Sequence, residues 1–102
     1  MAPILKQFHV SEKDLKKLCQ RMGVKSLSVF GSATENRFKP GTSDIDFLVE
    51  FESVSIDQFF EFLDGLQKLF RGNKIDLVTM ASLKNPIIRE EILSSQQKIY
   101  AA

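Results

Sequence analysis

The segment from Asp44 to Phe51 constrains the fold most, because acidic and apolar residues alternate at its start. Side chains along a strand alternate between faces, so Asp44 and Asp46 project from one side with Cα atoms roughly 7 Å apart. Helices are expected against the other face, which carries the apolar residues Ile45, Phe47, Val49 and Phe51. The segment therefore predicts a strand that holds two carboxylates on an open face.

Two carboxylates this close resist joint ionisation unless a cation or a proton lies between them. A hard, oxygen-seeking ion such as Mg²⁺ is the natural partner. Upstream, Gly31 and Ser32 follow the short apolar segment that ends at Phe30. Glycine lets backbone N–H groups approach a phosphate, and serine adds a hydroxyl. A phosphate cradle beside a Mg²⁺ site points to a nucleotide.

A third carboxylate lies in the segment 74–79, KIDLVT, which is typical of another strand. Ile75 and Leu77 form its apolar phase, so Asp76 takes the opposite phase. An acidic residue in so short an apolar strand is costly to bury without a partner. If this strand neighbours the one that begins at Asp44, three carboxylates meet on one sheet face.

Three such carboxylates form a ligand set for two Mg²⁺ ions about 3.5–4 Å apart, the arrangement used in phosphoryl and nucleotidyl transfer. Asp44 and Asp46 are expected to ligate both ions. Asp76 is expected to bind the catalytic ion and to serve as the base for an acceptor hydroxyl. Further candidates for contact with the nucleotide phosphates lie in the intervening loop: Arg37, Lys39 and Ser43.

Length and composition predict one domain over residues 1–102, too short for separate lobes that would hold a template or enclose a small acceptor. The formal net charge of +1 gives no general attraction to nucleic acid. The single cysteine, Cys19, is expected as a core thiol, which fits a reducing cytoplasm. The lone His9 argues against zinc sites and hydrolase triads. No apolar stretch approaches the roughly 18 residues of a membrane span, so a cytoplasmic protein without a membrane partner is expected.

Capping residues followed by helical apolar periodicity predict three helices, which begin after Ser11, Ser55 and Asn85. The first is expected to bury Leu15, Leu18, Cys19 and Met22. The second is expected to bury Ile56, Phe59, Phe60, Leu63, Leu66 and Phe70, with Phe62 off the stripe, and the third to bury Ile87, Ile88 and Ile92. With strands at 27–30, near 44–51, at 74–79 and at the C-terminus, the predicted class is α/β (α+β), a small mixed β-sheet backed by helices on one face.

The combined pattern of Gly31-Ser32, eleven intervening residues, Asp44-Ile45-Asp46 and a later Asp76 resembles the minimal nucleotidyltransferases of the DNA polymerase beta superfamily. The resemblance covers nearly the whole chain. It implies the polymerase-beta-like nucleotidyltransferase fold and Mg²⁺-dependent transfer of a nucleoside monophosphate, with Gly31 and Ser32 holding the phosphates. Members of this size are similar to MntA-like antitoxins, which attach AMP from ATP to a tyrosine of a HEPN-type RNase toxin encoded nearby and use no DNA template.

Alternative functions remain open beside the AMP-transferring antitoxin. One is an antitoxin or regulator that neutralises its partner by docking and uses the nucleotide site weakly or not at all. Glu35 favours it, because many relatives carry arginine at that position; Arg37 is a candidate substitute. A plain α/β domain with surface aspartates would show no stabilisation by Mg²⁺ and ATP. For an enzyme this small, the acceptor must come from a partner or a second copy, in a hetero- or homo-oligomer.

Overall fold

The computed structural model describes residues 3–31, 44–53 and 55–102. Its helices are α1 (Pro3–Gln7), α2 (Glu12–Arg21), α3 (Ile56–Leu69) and α4 (Pro86–Ser95), with a 3-10 turn over Met80–Ser82. Its strands are β1 (Val24–Phe30), β2 (Asp44–Phe51), β3 (Lys74–Thr79) and β4 (Gln97–Ala101). Each helix and strand predicted from the sequence is present, and α1 is an addition.

The four strands form one mixed sheet in the order β3-β2-β1-β4. β1 pairs antiparallel with β2 and with β4, whereas β2 and β3 run parallel. A parallel pair needs a crossover connection, and α3 supplies it between β2 and β3. The expected class, a small mixed sheet with helices, is confirmed.

The apolar face of the sheet forms the core with α2 and α3. Phe47 and Phe70 meet edge to face with ring centroids 5.1 Å apart, and Phe51 meets Phe62 in the same way at 5.7 Å. Cys19 is fully buried here, and burial raises the pKa of its thiol to about 12. A thiol with so high a pKa is an inert core group, as expected from the sequence.

The helix starts follow the predicted capping chemistry. The backbone N–H of Asp14 donates to the Ser11 hydroxyl at 3.3 Å, and that of Gln58 donates to the Ser55 hydroxyl at 3.2 Å. Asn85 caps α4 by accepting from two backbone N–H groups at 2.9 and 3.3 Å. Each bond satisfies a donor that the first helical turn leaves without an intrahelical partner. These caps define where the three helices begin.

The buried face of α3 differs from the predicted one. Phe62, predicted to lie off the apolar stripe, is fully buried, whereas Ile56 and Phe60 are 77% and 59% exposed. Phe62 and Leu66 are four residues apart and share a face, and that face packs under the sheet. Leu66 and Phe70 are buried as predicted. The prediction was wrong for Phe62, Ile56 and Phe60, because apolar residues occur on both sides of this helix.

The apolar side of α4 is likewise exposed, contrary to prediction. Ile87 and Ile88 are 77% and 50% exposed, and no residue of α4 is buried. The helix begins where its Asn85 cap and Pro86 predict, so local signals define it correctly. Its burial depends on what packs against it, which periodicity does not report.

Within residues 3–31, 44–53 and 55–102, no helix is long and apolar enough to cross a membrane.

Candidate active site

The parallel pairing of β2 and β3 brings the predicted carboxylates together. Asp46 is the register partner of Asp76, and residues paired across neighbouring strands lie on the same face about 4.8 Å apart. Asp44 lies two residues before Asp46 and points to the same side. Asp44 and Asp76 are exposed and Asp46 is half-buried. The three aspartates therefore share one face at the N-terminal ends of β2 and β3.

Asp46 is the electrostatic centre of this group. Burial, with smaller contributions from the charges of Asp76 and Asp44, raises the pKa of Asp46 from its ordinary 3.8 to about 6. The direction is that expected of a carboxyl group that loses water and faces two like charges. A cation bound at this face would favour the ionised form of Asp46.

Gly31 makes the space that the Asp46 carboxylate occupies. It directly follows Phe30, the register partner of Asp46 on β1, and has a φ of +72°. A Cβ atom placed on Gly31 would overlap the Asp46 Oδ2 atom. The glycine predicted to cradle a phosphate thus has a second role that the sequence did not reveal, since it leaves the space that the central carboxylate occupies.

The chemistry of the site fits Mg²⁺, although its side chains are not already arranged around an ion. Within residues 3–31, 44–53 and 55–102, no three His, Cys, Asp or Glu side chains converge tightly enough to form a ready-made metal site. The register of β2 with β3 nevertheless places the three carboxylates on one face. Carboxylate oxygens are the donors that Mg²⁺ prefers. Asp44, Asp46 and Asp76 are the residues that would hold the ion.

The start of β3 adds a cation that the sequence-based prediction missed. Lys74 is the register partner of Asp44, and therefore shares the face of the aspartates. The turn before it is fixed by Gly72, with a φ of +80°, and by Asn73, whose side chain donates to the Arg71 carbonyl at 3.2 Å. Only the pairing of β2 with β3 reveals this neighbour, since Lys74 lies 30 residues from Asp44 in the sequence.

Several predicted nucleotide contacts belong to residues 32–43, outside the described residues. They are Ser32, Arg37, Lys39 and Ser43. Glu35, which favours the docking alternative, also lies outside the described residues. Their roles stay predictions from the sequence.

A cavity of about 320 Å³ lies at the opposite end of the sheet. Residues from the C-terminal ends of β2 and β3 and from α4 line it: Val49, Glu50, Phe51, Thr79, Met80, Ala81 and Arg89. The aspartates lie at the N-terminal ends of the same strands, so this cavity is distinct from the candidate active site.

The fold and the acidic face define the class of protein. The family model described as nucleotidyltransferase domain matches residues 12–99, and the chain belongs to this family. A protein of Methanocaldococcus jannaschii assigned as a protein adenylyltransferase is 42% identical over 84 residues, which cover 81% of this chain and 84% of the relative. The protein adenylyltransferase MntA of Thermococcus cleftensis is 40% identical over 75 residues, 72% of this chain and 74% of that protein.

Solved structures show the same fold. A protein described as a minimal nucleotidyltransferase superposes with a TM-score of 0.75 at 28% identity, over 91% of this chain and 93% of that one. The MNT antitoxin structure with a tri-AMPylated HEPN toxin of Shewanella oneidensis matches with a TM-score of 0.62 at 17% identity, over 89% of this chain and 70% of that one. The second likeness, at this identity, concerns the fold alone. The family model and the first of these structures place the chain among the minimal nucleotidyltransferases.

Proposed function

We propose that this protein is an antitoxin that transfers AMP from ATP to a hydroxyl group of a HEPN-type toxin, with a tyrosine as the acceptor. The observation that carries the proposal is the pairing of Asp46 with Asp76 beside Asp44, which gathers three carboxylates next to Gly31. The named relatives are adenylyltransferases, and one neighbouring structure holds an AMPylated HEPN toxin beside its antitoxin. The relatives and this structure both favour AMP over other nucleotides as the transferred group.

The three aspartates of this face would each have a role in AMP transfer. Two Mg²⁺ ions held at this face would lower the pKa of the acceptor hydroxyl and offset the charge that develops on the departing pyrophosphate. Asp44 and Asp46 would hold both ions, and Gly31 leaves room for the Asp46 carboxylate. Asp76, on the edge strand and exposed, is the carboxylate best placed to accept the acceptor's proton. The three side chains thereby orient the reactants and receive the proton.

A reaction with labelled ATP tests the proposal. The protein is incubated with Mg²⁺ and the HEPN-type protein encoded beside it, using ATP labelled at the α-phosphate in one sample and at the γ-phosphate in another. Nucleotidyl transfer predicts label on the partner from the α-position only, whereas phosphoryl transfer would give label from the γ-position. Loss of the α-label in Asp46→Asn assigns the reaction to this face. No label from either position would contradict the proposed activity.

Docking without catalysis is the second candidate, favoured by the exposed apolar side chains of Ile87 and Ile88. Monomeric proteins do not usually leave such residues grouped on a helix unless a partner covers them. The double variant Asp44→Asn/Asp46→Asn separates the candidates, because a docking antitoxin would still protect cells from the toxin. Protection that disappears in the double variant supports AMP transfer.

A further inference from the structure

We infer that Lys74 is a further nucleotide-binding residue that contacts the phosphates of the bound triphosphate. The inference rests on the proposed function and names a group that serves the same site. Lys74 shares the aspartate face, because its register partner across β2 and β3 is Asp44. Neighbouring strands are about 4.8 Å apart, so the ammonium group lies within reach of any anion held at that carboxylate.

Lys74 lies across the two β2 aspartates from the glycine turn that is predicted to hold phosphates. Gly31 approaches Asp46 from β1, and Lys74 flanks Asp44 from β3. The glycine turn and the lysine therefore bracket the two β2 aspartates from the two neighbouring strands. A triphosphate held through metal ions at those aspartates would lie between a backbone cradle and a cation. Lysine suits this role because its ammonium is a compact point charge on a flexible stem.

Among residues 3–31, 44–53 and 55–102, the charge of Lys74 is not paired with a carboxylate. Lys25 pairs with Glu50 and Lys68 pairs with Asp64, but Lys74 forms no ion pair in the part of the chain that the structure describes. Its side chain is exposed. A triphosphate brings several negative charges to a face that already carries three carboxylates, so an unpaired cation there improves the electrostatic match.

The turn that precedes Lys74 holds it in place. Gly72 provides the left-handed backbone, and the Asn73 side chain closes the turn onto the carbonyl groups of Phe70 and Arg71, at 3.5 and 3.2 Å. Phe70, one of those two residues, is itself buried in the core. The first residue of β3 therefore starts from a fixed point rather than from a long loop.

Calorimetric titration with α,β-methylene ATP, which cannot lose pyrophosphate, tests the inference in the presence of Mg²⁺. Lys74→Gln should weaken binding about ten-fold, the size of one charge-assisted contact. It should also reduce the dependence of the affinity on salt. Lys74→Arg should retain most of the affinity. The matched control is Lys98→Gln, which removes an exposed strand lysine at the opposite edge of the sheet and should change nothing.

The contrary outcomes are distinct. Lys74→Gln that binds the analogue as the wild type does would overturn the inference while leaving the proposed function standing. A variant with unchanged affinity but slower labelling of the partner would place Lys74 on the acceptor side instead, and would also overturn it. Wild-type protein that binds no analogue with Mg²⁺ would end both the inference and the proposed function. Thermal unfolding of each variant verifies that an affinity loss comes from the site and not from misfolding.

Discussion

At the residue scale, Asp46 combines a functional position with a cost in stability. Its carboxyl group is half-buried between two other carboxyl groups, and its pKa is raised to about 6. The folded state holds this proton more tightly than the unfolded state, so the free energy of unfolding falls as the pH rises from the ordinary pKa of 3.8 to about 6. The site is thus destabilising when empty at neutral pH, and cation binding would relieve it.

Asp46→Asn is therefore expected to stabilise the metal-free protein while abolishing AMP transfer. Between pH 4 and 6 the folded wild type keeps a proton on Asp46 that its unfolded state has already released, so its free energy of unfolding falls as the pH rises. The asparagine variant has no such group, so the difference in unfolding free energy should grow over this range. Above pH 6 it should be about 1 kcal/mol after allowance for solvent screening, or about 4 °C in Tm. Thermal unfolding in a chelating buffer at several pH values measures it. A variant less stable than the wild type at pH 7.5 would contradict this reasoning.

Gly31→Ala is expected to damage the site more than its backbone strain explains. Gly31 and Gly72 both have a left-handed φ, but a Cβ atom on Gly31 would overlap Asp46, whereas one on Gly72 meets nothing within 4 Å. Gly72→Ala is therefore the matched control, and should cost about 1 kcal/mol in stability from strain alone. Gly31→Ala should cost more and should also lose Mg²⁺-dependent nucleotide binding, measured by calorimetry. Equal binding by the two variants would show that Gly31 does not position Asp46.

At the element scale, α2 and α3 approach closely because Gly65 has no side chain. A Cβ atom on Gly65 would lie 2.6 Å from the Leu18 Cδ1 atom, and Leu18 is buried. Gly65→Ala gains about 1 kcal/mol of helix propensity, but overpacking typically costs 1–3 kcal/mol. The variant is expected to be less stable by about 1 kcal/mol in chemical denaturation. Because Leu18→Ala removes the overlapping atoms, the cost of Gly65→Ala should vanish in that background; the same cost in both backgrounds would exclude the overlap as its cause.

The elements also show which features the sequence could predict. Strand phase at Asp44–Phe51 and the caps at Ser11, Ser55 and Asn85 are local signals, and all appear in the structure. The buried face of α3 and the exposure of α4 depend on neighbours distant in sequence. Periodicity therefore assigned α3 only in part, correctly for Leu66 and Phe70 but not for Phe62, and assigned Ile87 and Ile88 of α4 wrongly. α1 is only five residues long, too short for a helical repeat to be recognised in the sequence.

In the candidate site, too, local signals could be predicted from the sequence, whereas contacts between distant segments could not. The alternation along each strand predicted that Asp44, Asp46 and Asp76 lie on the side opposite the apolar residues. The parallel pairing of β2 with β3 makes them neighbours. Lys74 could not be assigned because register is a property of the pair of strands and not of either segment. The second role of Gly31 required knowledge of where the Asp46 side chain lies.

At the scale of the whole molecule, Mg²⁺ and ATP together should stabilise the fold. Ligand that binds only the native state adds about 2.7 kcal/mol at a hundred times its dissociation constant, equivalent to roughly 10 °C or more in Tm for a chain of this size. Neither Mg²⁺ nor ATP alone should give the full shift, because the carboxylates and the triphosphate repel each other without the metal. Differential scanning fluorimetry measures the shift. The same melting temperature with and without both ligands would favour a plain domain with surface aspartates.

The claim that the aspartate face transfers AMP is tested most directly by intact-mass spectrometry of the HEPN-type partner. The partner is incubated with ATP, Mg²⁺ and either the wild-type protein or its Asp46→Asn variant. The account predicts that the partner gains the mass of one or more adenylyl groups with the wild type and none with the variant, with fragmentation placing the group on a tyrosine. An unmodified partner in both samples, or equal modification by the variant, would contradict the account.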